Sequence, residues 1–271
     1  MADRPKEFAT GGSPNPSAPA ASRWFGAVAS DYARYRLTYP EPFFTRFAAR
    51  CPQRDRVWDC ACGSGQASLA LARHFSEVIA TDASAEQLAA AAAQERVHYR
   101  CASATASGLE PASVSGVMVA AAVHWFAGPA FEAELRRVAR PGAAMAWIGY
   151  LPVRMPTAPL RFWFETFYSD TLAPWWPPER RLVDNAYQDL TFPAEECPFP
   201  DDLSIERHWD LATFLGHLGT WSAVQRAREQ GVDPLVAAEL DLRALWPQNG
   251  AAPIDLTWPF MGRWGRIGSV P

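Results

Sequence analysis

Two carboxylates and two glycines at set separations are the residues of this chain best suited to hold a charged ligand. Asp59 sits near the end of an apolar run, Val57-Trp58-Asp59-Cys60, and Gly63 and Gly65 follow in the turn Ala61-Cys62-Gly63-Ser64-Gly65-Gln66. Asp82 closes a second apolar run, Val78-Ile79-Ala80-Thr81, 23 residues after Asp59. This order predicts a buried strand, a tight glycine turn, a helix over 66–75 and a second strand ending in a lone acid. That is the first half of a nucleotide-type site on a parallel sheet. A carboxylate at Asp82 suits a two-point hold on the hydroxyls of a ribose. Gly63 and Gly65 are expected to let the backbone approach a ligand where a Cβ would clash. The first N–H groups of the helix opening at Gln66 would face that ligand. A dinucleotide site wants a third glycine where Ser68 stands, and its pyrophosphate gains nothing from an acid at Asp59. A cationic ligand does, so the pattern counts against a nicotinamide oxidoreductase.

The elements that must position these residues follow a regular rhythm. Residues 54 to 150 alternate strand and helix, the βαβ pattern of an open parallel sheet. Asp82 and His124 come directly after strands, at the carboxyl edge where such sheets bind ligands. After Leu151 the rhythm breaks into a proline-rich, aromatic stretch holding Trp163, Trp175, Trp176, Tyr187 and Trp209. It is too apolar for a solvated linker and is expected to cap the sheet edge and wall a substrate pocket. Arg180, Arg181 and Arg207 lie in or after it, either as carboxylate clamps or as solvated arginines. Helices are expected over about 211–228 and 234–245. Ile254, Leu256, Trp258 and Phe260 then alternate with polar residues as a half-buried strand, which Pro259 pushes to an edge or a bend.

Bulk properties narrow the function classes. The chain has 271 residues, 49% hydrophobic and 20% charged, with a formal net charge of −4. The absence of a basic block argues against a nucleic-acid partner, and no apolar run approaches a membrane span. Residues 1–22, rich in Pro, Ala, Ser and Gly, are read as a disordered leader without a signal-peptide core. Five cysteines with no disulfide spacing are expected in a reducing, cytoplasmic compartment. Cys60 and Cys62 are read as small buried hydrophobes, since two further metal ligands are not grouped nearby. No metal is expected.

The run Asp59-x-Ala61-x-Gly63-x-Gly65 resembles motif I of the class I S-adenosylmethionine (SAM) dependent methyltransferases. The likeness continues through Asp82-Ala83-Ser84-Ala85-Glu86-Gln87-Leu88, with Ser84 and Gln87 as a capping box. It extends through Val114–Val119 with Val123-His124-Trp125-Phe126, and through Arg137–Gly142 with Ala144–Ile148. The tail Pro177–Asn185 and Leu218–Ser222 is similar to the small-molecule subgroup that includes trans-aconitate methyltransferase-like proteins.

The resemblance implies an α/β fold: a doubly wound, mostly parallel, seven-stranded Rossmann-like sheet with an N-terminal helical lid and a C-terminal cap insertion. One domain over 23–271 would comprise lid helices (23–50), a SAM-binding core (51–150), a substrate cap with helices (151–250) and the final strand (251–271). It implies SAM as cofactor and S-adenosylhomocysteine (SAH) as product, with Asp59, Ala61, Gly63, Gly65, Gln66, Asp82, Ala83, Gln87, Ser103, Ala104, Tyr32 and Arg36 as cofactor contacts. His124 would leave the fourth strand beside the reacting methyl, as a base or as a pocket wall. Trp125, Trp147 and Tyr150 are expected at the acceptor site, with core packing the competing role for Trp147.

Two departures stand out. Alanine replaces the usual glycine at Ala61, tolerable where φ is negative. Ala102-Ser103-Ala104-Thr105-Ala106 lacks the acids relatives place near adenine. The expected activity is methyl transfer to a small molecule, with O-methylation of a carboxylate or hydroxyl first and N- or C-methylation second. A non-catalytic SAM-binding scaffold remains the third option. The protein is expected to be a monomer or homodimer.

Overall fold

The computed structural model describes residues 35–268. The expected leader, the first part of the expected lid and Tyr32 lie outside them. Helix α1 (Glu41–Arg50) enters first, with Phe43, Phe44, Phe47 and Ala48 buried on one face. Strand β1 (Arg56–Cys60) follows, then helix α2 (Gln66–Leu71), β2 (Glu77–Asp82), α3 (Ala85–Ala89), β3 (Val97–Cys101), β4 (Val114–Ala120), α4 (Pro129–Val138) and β5 (Ala139–Tyr150). Strands β1 to β5 pair in parallel. Their near-continuous burial, complete over Val57–Cys60 and Val114–Val119, is what a sheet covered on both faces requires.

Alternation sorts the strand residues between two cores. Val57, Val78, Ala80, Met118, Ala146 and Ile148 face one cluster, with Phe43, Phe47, Leu71 and Phe75. Trp58, Cys60, Ile79, Val117, Val119, Met145 and Trp147 face the other, with Phe131, Leu135 and Val138 of α4. Helices on both faces make the sheet doubly wound. Cys60 and Cys62 belong to opposite cores, and burial pushes both thiols well above their usual range.

The segment 41–50, expected within the lid, is part of the core. Phe43, Phe44 and Phe47 are fully buried, each worth roughly 1.5–3 kcal/mol of burial. Gly116 makes the docking feasible, because a Cβ there would lie 2.8 Å from Cys51 Sγ and 3.2 Å from Phe47 Cζ. The aromatic spacing was that of a core stripe.

Beyond β5 come α5 (Ala158–Thr166), a π-helical turn (Phe167–Thr171), α6 (Arg180–Asp184), β6 (Glu195–Cys197), β7 (Ser204–Trp209), α7 (Leu211–Gly219), α8 (Ser222–Glu229), α9 (Pro234–Leu245) and β8 (Ile254–Arg266). Asp210 and Asp233 cap α7 and α9 by accepting from Thr213 N (2.8 Å) and Leu235 N (3.0 Å). The sheet runs β3-β2-β1-β4-β5-β8-β6, and β7 joins through β8. The expected bend at Pro259 is a change of partner. Ile254–Pro259 pairs with β7, whereas Phe260–Arg266 inserts antiparallel beside β5.

Candidate active site

The chain leaves β1 toward β2 and β3 on one side and returns to β4 on the other, so a crevice opens above β1 at the topological switch point. A cavity of about 600 Å³ fills it, within the usual range for small-molecule sites. Its walls are the loops after β1, β2, β3, β4 and β5, closed over by residues 176–187 and 221–222.

At one end stands Asp82. Its Oδ2 accepts from Gly63 N at 2.8 Å and its Oδ1 from Ser84 N at 2.9 Å. The carboxylate thus ties the first two loops together and holds both oxygens in a set orientation, each keeping a lone pair for a ligand. Burial pushes its pKa up, while these backbone N–H groups pull it down. Ser84 caps α3 by accepting from Gln87 N (3.2 Å), but the other half of the expected capping box is absent. Asp82 serves Ser84 N instead, and the Gln87 side chain lies at the cavity wall under Gly63. Ala83, Ser103, Ala104 and Gln66 also line this end. Ser103 Oγ accepts from Thr105 N (3.2 Å) and so shapes the β3 loop. Gln66 Nε2 donates to Ser64 Oγ at 3.0 Å.

Two expected cofactor contacts lie off the cavity wall, and a third differs in its backbone. Asp59 is fully buried and sits beneath the turn, not on the cavity wall. Ser68 Oγ donates to its Oδ2 at 2.5 Å, and Oδ1 has no hydrogen-bond partner among the described residues. Burial chiefly, with the charge of Asp82 adding, pushes Asp59 up to about 7. Ser68, on the first turn of α2, is the residue missed here. The signal was present, because a serine in place of the third glycine gives the strand-end acid its donor.

Gly65 does not line the cavity. Its φ is +87°, and a Cβ would lie 2.2 Å from Tyr99 Oη, so the glycine makes room for a tyrosine of β3 and not for a ligand. Ala61 does line the cavity, but its φ is +56° and not negative. An L-residue there costs roughly 1–2 kcal/mol, which the surrounding turn sustains.

The opposite end is aromatic and basic. His124, in a 3-10 turn (Val123–Trp125), lies nearly parallel to Tyr187 with ring centres 6.2 Å apart, and Trp125 is 4.8 Å away. Its Nδ1 has no hydrogen-bond partner among the described residues. Burial first, then Arg180 and Arg36, lowers its pKa to about 3, so the imidazole is neutral and weakly basic. Arg36 donates to Tyr150 Oη at 2.7 Å, and both line the cavity with Trp125.

Trp147, an expected acceptor contact, faces the other core. It is 1% exposed and packs edge-on to Phe192 at 4.9 Å. It lies three residues from Tyr150, and strand alternation sends the two to opposite faces.

Tyr187, Trp176, Trp221 and Arg180 complete this end. Ala186 and Tyr187 have φ of +49° and +63°, a strained pair that turns the tyrosine ring behind His124. His217 is a further support that was missed. Its Nδ1 donates to Tyr35 O (3.1 Å) and its Nε2 accepts from Trp221 Nε1 (3.3 Å), linking the segment carrying Arg36 to a cavity wall. Trp221 lies one helical turn on, but no pattern marks the Tyr35 partner, 182 residues away.

Known proteins agree with this architecture. The profile of the family described as "Methyltransferase domain" matches residues 58–147. A candidate methyltransferase of Dictyostelium discoideum is 29% identical over 242 residues, covering 87% of this chain and 91% of its own. A solved structure from Anaeromyxobacter dehalogenans, a candidate type II methyltransferase, is 43% identical with a TM-score of 0.78, over 87% of this chain and all of that one. The chain therefore belongs to the class I SAM-dependent methyltransferases.

Proposed function

We propose that this protein methylates an oxygen of a small anionic acceptor, a carboxylate first and a hydroxyl second. The observation that carries this reading is the polarity of one cavity: an acid at the β2 end, and Arg180 among aromatic rings at the other.

The residues at the acidic end fit SAM. Asp82 presents two set carboxylate oxygens, the Ala61–Gly63 turn brings backbone to the wall, and buried Asp59 adds negative potential beneath it. Asp82 would hold the ribose, Gln87, Ser103 and Ala104 would flank the base, and Arg36 would meet the cofactor's carboxylate. Bound SAM supplies an electrophilic methyl carbon on a positively charged sulfur. What the chain contributes is alignment and exclusion of water, by closing residues 176–187 over the sheet edge. An ionised carboxylate needs no base, which suits a His124 held neutral and weakly basic. The net charge of −4 opposes a nucleic-acid acceptor. Among the described residues no helix is long and apolar enough to cross a membrane.

Parallel calorimetric titrations with SAM, SAH and NADH test the cofactor. Micromolar SAM and SAH binding without an NADH signal is expected. SAH release against a panel of carboxylic acids, phenols and amines tests the acceptor. Turnover confined to amines or carbon acids would replace the O-methylation reading, and the aromatic walls are what favour that second reading. Binding without turnover on any acceptor would leave a scaffold.

A further inference from the structure

We infer that the acceptor is an aromatic monocarboxylate, held by the two terminal nitrogens of Arg180 with its ring against Trp176 and Trp221. The inference deepens the O-methylation reading and rests on it.

Arg180 is pinned by one edge. Its Nε donates to Tyr168 Oη (2.7 Å) and Asp184 Oδ1 (3.0 Å), and its guanidinium carbon stands 4.8 Å from the centre of the Trp176 ring. These contacts use Nε and the flat face. The terminal nitrogens have no hydrogen-bond partner among the described residues, and the residue borders the cavity with its side chain 23% exposed. The edge they form matches a carboxylate. Trp176 and Trp221 are 5.6 Å apart, centre to centre, and Trp176 packs on Tyr168 at 5.0 Å. The rings beside the guanidinium are therefore held in place and offer apolar area to the rest of the acceptor. Only one carboxylate is catered for. Among the described residues the other arginine on this cavity is Arg36, which donates to Tyr150 and which the underlying reading gives to the cofactor's carboxylate, so a polycarboxylate would bring charges into aromatic wall.

The low basicity of His124 agrees with this charge balance. Arg180 and Arg36 both act on it, which disfavours an ammonium acceptor. In the transfer, a carboxylate oxygen uses the lone pair not bonded to Arg180 to form the new O–C bond. The C–S bond breaks and its electron pair stays on sulfur. The negative carboxylate and positive sulfonium become a neutral ester and thioether, and no proton moves. The ester no longer matches Arg180, which favours release.

The test titrates cinnamate, cinnamamide and trans-aconitate into protein saturated with SAH. Cinnamate should bind at least about tenfold more tightly than the other two. Arg180→Gln should remove most of that preference, Arg180→Lys should restore part of it, and neither should shift SAH affinity. Equal binding of acid and amide by the wild type, no binding of either, or tighter trans-aconitate overturns the inference, and none of these needs a variant to fold. Failure of the underlying reading shows separately, as absent SAH binding or as no methyl ester by mass spectrometry when SAM replaces SAH.

Discussion

The two ends of the cavity are built by different means. The cofactor end is mostly backbone: loops after β1, β2 and β3 arranged around Asp82, whose two oxygens are met by Gly63 N and Ser84 N. The acceptor end is mostly side chain: His124, Tyr150, Trp176, Arg180, Tyr187 and Trp221, drawn from segments far apart in the chain. Sheet topology dictates the first, so it can persist while acceptors change. The second depends on how the cap packs, and there specificity can vary without disturbing the cofactor.

The comparison breaks first at Gly65. If this glycine serves Tyr99 and not a ligand, Gly65→Ala should lower stability by about 3 kcal/mol, from overpacking and the left-handed φ together. Tyr99→Phe in the same chain should recover part of the loss. Thermal and urea unfolding of both variants measure it, and no recovery would return Gly65 to a ligand role.

Asp82→Ala should weaken SAM and SAH by about 2 kcal/mol or more, roughly 30-fold, with acceptor selectivity retained at saturating cofactor. Unchanged affinity by calorimetry would remove the ribose anchor.

The buried acid beneath the turn predicts a pH effect. Asp59 titrates at about 7 in the fold, against 3.8 for an ordinary carboxyl, so the folded protein binds its proton more tightly than the unfolded chain. That contribution to stability is complete below about pH 4 and is lost as pH rises through 7. Asp59→Asn should therefore gain melting temperature on the wild type as pH goes from 5 to 8. Cofactor binding near pH 7 should release a proton, seen as a buffer-dependent heat, because a cation over the turn favours the carboxylate. A constant melting-temperature difference and no proton release would remove Asp59 from the electrostatics.

The smallest effect is at Trp147. With its indole nitrogen unpartnered among the described residues and its ring in the far core, Trp147→Phe should cost about 1 kcal/mol of stability and leave acceptor KM unchanged. A changed KM would put Trp147 back at the acceptor site.

Much of the core was legible before any coordinates. The strands at 56–60, 77–82 and 114–120, the Ser84 cap and the strand-end placement of Asp82 and His124 all follow from short-range pattern. Depth was harder to read. Asp59 and Gly65 lie in the expected motif, yet one is under the turn and the other serves a neighbouring strand, because a motif records order along the chain and not which side faces the ligand. Trp147 shows the same limit, since alternation gives relative faces but not which face meets the cavity.

By itself the amino-acid sequence determined the parallel sheet, the glycine turn and the acid at the end of the second strand, through alternation of apolar residues, turn chemistry and local capping. Those interactions close within a few residues or between neighbouring strands. Tertiary structure alone decided that Arg180 meets Trp176, itself packed on Trp221, beside His124, that Ser68 serves Asp59, and that His217 ties Tyr35 to Trp221. Each of these depends on side chains brought together by packing of separate segments, and no local pattern encodes which of the many aromatic and basic residues will meet.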